Sequence, residues 1–101
     1  MALELSGFVE ADLDRIAAFI AADNPQRAVS FIREIRTQLQ VIGRQPLLYR
    51  LRSDIGEHAR LASVGNYAVL FRVTDAGDVR IERVVYGGRD LPGVLEPTSQ
   101  S

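Results

Sequence analysis

The sequence predicts an α+β domain in which an N-terminal helix hairpin packs on a small antiparallel β-sheet, in the order β-α-α-β-β-β. Three observations carry this. Two stretches, Phe8 to Ala22 and Pro25 to Ile42, place apolar residues at helical spacing with only Asp23-Asn24 between them. Residues Tyr67 to Asp90 hold two β-branched and aromatic runs around Thr74-Asp75-Ala76-Gly77-Asp78, the composition of a β-hairpin with a Gly-bearing loop. The length of 101 residues admits one such domain and not two.

Taken in order, residues 2–5 (ALEL) read as a short first strand, and Ser6 is placed to cap the first helix. Leu13, Ile16, Ala17 and Ile20 recur at i, i+3, i+4 and i+7, one apolar stripe of that helix. Asp12 and Asp14 lie near its start, where carboxylates favour the positive end of the helix dipole. Asn24 is a good N-cap and Pro25 suits a first helical position, so the chain stops and restarts there. Ala28, Phe31, Ile32, Ile35, Leu39 and Ile42 stripe the second helix, which Gly43 and Pro46 close. Two helices joined this tightly lie antiparallel. Gln45 to Gly56 has no clean period, and Asp54-Ile55-Gly56-Glu57 reads as a turn. His58 to Val64 is a strand, and Gly65-Asn66 turns it into the hairpin. In the hairpin's first arm Val69, Phe71 and Val73 share one face while Ala68 and Leu70 share the other, the mark of a strand covered on both sides. The folded domain is expected over residues 1–95, with residues 96–101 (EPTSQS) as a flexible tail.

Composition excludes several functions. The chain has no Cys, so thiolate metal sites and disulfides cannot form, which fits a cytoplasmic location. No apolar run approaches the ~20 residues that span a bilayer, so no membrane association is expected. Twelve basic residues against thirteen acidic ones give a net charge of −1. Nucleic-acid binders usually carry a positive excess because neutralising phosphate supplies much of their affinity, so sequence-specific nucleic-acid binding is not expected. All twelve cations are Arg, which rules out a lysine base or Schiff base.

No constellation of catalytic residues stands out. Asp12/Asp14 and Asp75/Asp78 sit at a helix start and in a loop, where capping and turn roles explain them. His58 is the single histidine, and no spacing suggests a metal or cofactor site, so none is expected. Gly87-Gly88 is too short to cradle phosphate and eases a bend at a strand end. Arg60, Arg72, Arg83 and Arg89 fall on or just after the strands, where they serve either as bidentate anion grips or as ordinary partners of Glu82, Asp90 and their neighbours.

Ala11-Asp12-Leu13-Asp14-Arg15-Ile16, Asn24-Pro25 with Ala28 and Phe31, Val64-Gly65-Asn66-Tyr67, Leu70-Phe71-Arg72-Val73 and Val84 to Asp90 form an ordered set. Together they resemble the RelE/ParE toxin superfamily, more narrowly its ParE branch, over roughly residues 3–95. The resemblance implies a bacterial type II toxin with a cognate antitoxin, a small ParD-like DNA-binding protein. It further implies that the toxin blocks DNA gyrase by binding, which causes growth arrest and plasmid stabilisation, and is not an enzyme. The RelE-like alternative is an mRNA interferase, with Arg60, Arg72 and Arg89 as the residues available for catalysis. Ala68 follows Asn66-Tyr67 where such nucleases keep a basic residue, and residues 91–101 hold no Tyr or His to serve as base. Tyr86 stands where many ParE-like sequences have His, so it is given no catalytic role. A third alternative is a degenerate member that binds antitoxin without toxicity.

Under the leading reading, Arg89, Asp90, Leu91, Val94 and Leu95 are candidates for the gyrase contact, since this segment follows the last strand without a core pattern of its own. Phe19 and the LLYRL stretch, with Leu47, Leu48, Tyr49 and Leu51, are candidates for the antitoxin contact.

Overall fold

The sheet is built outward from its central hairpin. In a computed structural model that describes residues 2–95, β3 (Tyr67–Val73) and β4 (Val79–Tyr86) pair antiparallel, and β2 (Ala59–Val64) adds antiparallel to β3. The tail expected at residues 96–101 lies outside the described residues. The order of helices and strands is the one the sequence predicts. β1 (Leu3–Leu5) runs parallel to β4, however, so the four strands form a mixed sheet ordered β1-β4-β3-β2. No tight turn links β1 to its neighbour, and its direction is therefore not dictated by hairpin geometry. Bonds at both its ends hold it parallel, from the Val79 amide to the Ala2 carbonyl (2.9 Å) and from the Ser6 amide to the Ile81 carbonyl (2.8 Å), while Leu3 packs against the core beside Gly43.

α1 (Val9–Ala21) and α2 (Pro25–Arg44) cover one face of this sheet. Asn24 caps α2 as its residue type demands, its Oδ1 accepting from the Arg27 amide at 3.0 Å, with Pro25 in the first turn. The buried stripes Val9, Leu13, Ile16 and Phe31, Ile35, Leu39, Ile42 meet Val69, Phe71, Val79, Ile81 and Val84 in the main core. The opposite face carries a second core of Ile55, Ala59, Ala68, Leu70, Val85 and Leu91. A single 3-10 turn, Pro46–Leu48, and the irregular segment after it lead the chain to that side. This is why β3 is apolar on both faces. The far layer is tied down by Arg72, whose guanidinium donates to the carbonyls of Glu57 (2.8 Å) and Leu95 (3.2 Å) and to Glu82 Oε2 (3.0 Å).

β4 carries a bulge. Phe71 pairs with Ile81 and Leu70 with Arg83, leaving Glu82 unopposed. The extra residue reverses the alternation, so Val84 joins Val79 and Ile81 on the helix side. The outer edge of β4 is a harder problem, because β1 ends at Leu5 while β4 runs on to Tyr86. Two side chains complete the pairing. The Ser6 amide donates to the Ile81 carbonyl (2.8 Å) and its hydroxyl to the Glu82 carbonyl (2.6 Å), while the same oxygen accepts from the Phe8 amide at 3.2 Å. Asp12 then accepts the Val84 amide at 3.0 Å. A buried carboxylate needs cations, and Arg83 supplies a fork at 2.8 and 2.9 Å while Arg15 adds a contact at 2.8 Å. Burial pushes the Asp12 carboxyl up, but the bonds from Arg83, Val84 and Arg15 outweigh it and hold the group below the ordinary carboxylate value.

Asp12→Ala should therefore lower stability by about 3 kcal/mol at neutral pH, because it strands the Val84 amide and an ion-pair partner. The folded carboxyl is depressed, so this contribution is complete above the unfolded value of ~3.9 and fades as pH falls through the lower folded value. Urea unfolding of both proteins at pH 7 and pH 3 checks this: the gap should narrow at pH 3. Gly56→Ala should cost about 1–3 kcal/mol in the same assay. A Cβ there would lie 2.7 Å from Leu95 Cβ and 2.9 Å from Arg72 Nη2.

Candidate functional site

The end of β4 is shaped by two glycines. A Cβ at Gly87 would stand 3.1 Å from the Asn66 carbonyl oxygen, to which the Gly87 amide donates at 2.8 Å. At Gly88 it would meet the Tyr86 ring at 2.5 Å. Tyr86 therefore lies back over Gly88, edge-on to Tyr67 with ring centres 5.9 Å apart. Tyr67 tilts against Phe31 at 5.6 Å, and the Arg27 guanidinium sits 4.9 Å over the Phe31 ring. Gly65 turns the chain here with a φ of +56°, close beneath Phe31. Phe19, on the last turn of α1, is 75 % exposed beside this ladder of rings.

Two hollows meet at Phe19 and Tyr67. One, of about 260 Å³, lies between α1 and the end of β4, with Asp12, Arg15, Arg83 and Arg89 around it. The other, of about 300 Å³, continues over Ile20, Phe31, Asn66 and Tyr86. The first is cationic and the second largely aromatic and apolar. Asp12 raises the Arg83 guanidinium above its ordinary value through their hydrogen bonds, so Arg83 is a fixed charge. Arg83 also lies 5.2 Å over the Phe8 ring. Arg89 is exposed, and its side chain has no hydrogen-bond or ion-pair partner among the described residues.

The structure separates the arginines that the sequence grouped. Arg60 stands opposite Phe71 on the helix side, its Nη1 donating to the Tyr49 carbonyl. Arg72, the next residue along β3, faces the other way into its clamp on Glu57, Glu82 and Leu95. Neither converges with Arg89. His58 is exposed, 3.8 Å from Glu57. Among the described residues no group of three or more His, Asp or Glu side chains is arranged to hold a metal ion.

The terminal segment also divides. Arg89 and Asp90 are exposed, whereas Leu91 is buried in the far core with Val94 and Leu95 packed beside it. Its apolar side chains thus face the sheet. Leu47, Leu48 and Leu51 are well exposed, while Tyr49 is half-buried, accepting from Gln38 at 2.8 Å and packing edge-on to Phe71. Phe19 does not join them. It lies near the start of α2 and they come after its end, about 30 Å along a helix of this length. An apolar groove of about 500 Å³ also runs along the outside of the helix pair, over Ala17, Ala21, Pro25, Val29 and Ile32.

Two features escaped the sequence reading. Tyr67 and Tyr86 form an aromatic platform that only the β3–β4 register brings together. Asp12 does more than complement a helix dipole. A signal for it exists, since Asp12 is the one charged residue in the stripe Val9, Asp12, Leu13, Ile16, and all four are buried.

Comparison with known proteins agrees with this architecture. The family described as the ParE toxin of type II toxin–antitoxin system parDE matches residues 3–91. Among solved structures, the chain is similar to one described as the chromosomal ParDE toxin–antitoxin system from P. aeruginosa, with a TM-score of 0.72 and 20 % identity over 85 % of this chain and 95 % of that one. Among curated proteins none matches. With a match running from β1 past the end of β4, the chain belongs to the ParE toxin family of type II toxin–antitoxin systems.

Proposed function

We propose that this ParE-type toxin acts in the cytoplasm by binding, with DNA gyrase as its target, and that its cognate antitoxin neutralises it. The observation that carries the reading is the division of labour among the arginines. Arg60, Arg72 and Arg83 are engaged with a backbone carbonyl, a three-point clamp and a buried carboxylate, respectively. RNA cleavage through the 2′-hydroxyl needs a base, an acid and phosphate stabilisation brought to one point. Arg89 stands instead at the rim of an aromatic surface, a composition typical of binding hot spots. No helix among the described residues is long and apolar enough to cross a membrane.

Within this reading the target contact centres on Arg89 and Asp90. Leu91, Val94 and Leu95 act from beneath, as the packing that holds them in place. Arg89→Ala should weaken inhibition of gyrase supercoiling by about 1–3 kcal/mol in apparent affinity while the circular dichroism spectrum stays unchanged. Arg60→Ala should leave inhibition near wild type wherever the protein remains folded. Arg72→Ala should act through stability, because it removes the donor to two carbonyls and to Glu82 Oε2 together. Wild-type protein that cleaves ribosome-bound mRNA and spares gyrase would refute the proposal.

A further inference from the structure

We propose that the cleft between α1 and the end of β4 seats a carboxylate side chain from an acidic, otherwise apolar segment of the antitoxin. The inference rests on the toxin–antitoxin reading above and gives that partner a place on this chain. Its basis is a count of charges and hydrogen-bonding sites. Arg15, Arg83 and Arg89 face a single carboxylate, Asp12, so three positive charges meet one negative and two remain in excess.

Asp12 cannot neutralise them. Its Oδ1 accepts from Arg15 Nη2 and Arg83 Nη2, and its Oδ2 from Arg83 Nε and the Val84 amide. Both oxygens are thereby saturated. Arg89 keeps all its donors, and Arg83 keeps Nη1. Guanidinium donors left in this way match a carboxylate, which accepts two parallel N–H bonds.

The surroundings point to a polypeptide. The cleft holds about 260 Å³, room for one side chain, and passes between Phe19 and Tyr67 into the aromatic hollow of about 300 Å³. An acidic residue in the first and an apolar neighbour in the second would fill both. Arg and aromatic side chains are the residues enriched at protein interfaces. A nucleic acid is the poorer occupant, because a chain of net charge −1 offers no extended track for successive phosphates.

The test uses the full-length toxin and the antitoxin encoded at its own locus, titrated by calorimetry at low and high salt. Arg89→Glu should weaken binding by about ten- to hundredfold and reduce the salt dependence. Arg44→Glu, at the exposed end of α2, should stay within about twofold of wild type. Replacing one antitoxin Asp or Glu by Arg should restore part of the affinity for Arg89→Glu. Wild-type affinity in a folded Arg89→Glu protein would overturn the proposal alone. So would loss of gyrase inhibition without loss of antitoxin binding, or Arg89-dependent, saturable binding of a labelled DNA duplex. A wild-type toxin that binds no antitoxin would remove the underlying reading as well.

Discussion

The position of α1 on the sheet depends on one buried carboxylate. β1 covers only three residues of β4, and beyond it the Val84 amide has no strand to receive it. An unpaired amide at a buried edge is costly, and so is a lone carboxylate. Asp12 removes the first cost, and Arg83 with Arg15 removes the second. The result is a four-point junction that ties the first turn of α1 to β4 beside the bulge. Everything further along α1, including Arg15 and Phe19, inherits its place from that junction.

The far layer obeys the same rule with different parts. The carbonyls of Glu57 and Leu95 lie in irregular backbone, and the Arg72 guanidinium donates to both while it pairs with Glu82. Arg60 does the same for the Tyr49 carbonyl. These cations close hydrogen bonds that the fold leaves open. Arg89 has no such employment, which sets it apart from its neighbours on structural grounds. The near-neutral net charge therefore conceals a local imbalance: most cations are matched within the fold, while the end of β4 keeps an excess.

Much of the fold was legible because its signals are local. The helix stripes, the Asn24-Pro25 restart and the two-sided apolar pattern of β3 each depend on residues near in sequence. The direction of β1 was not legible, because no turn couples it to β4 and its pairing rests on contacts with residues more than seventy positions away. The site was less legible still. The Asp12–Arg83 pair spans 71 residues, and the Tyr67–Tyr86 contact requires the strand register. Leu91 shows no core pattern in the sequence because its core partners, Ile55 and Leu70, lie in a segment without a period and on the second face of β3.

Stability and recognition are physically joined at the end of β4. Arg83, which lines the cleft, uses two of its donor nitrogens to hold Asp12 and keeps the third without a hydrogen-bond partner among the described residues. The cationic wall is thus held by the same bonds that dock α1, and it does not have to be ordered when a partner arrives. Preorganisation of this kind lowers the entropy lost on binding. It also makes the cleft sensitive to changes far from its rim, since a shift of α1 at Asp12 would carry Arg15 and Phe19 with it. Arg89 is the exception, anchored only through its backbone to the Tyr86 carbonyl at 3.3 Å. A rigid wall facing one unconstrained guanidinium lets the cleft close on a carboxylate by moving a single side chain.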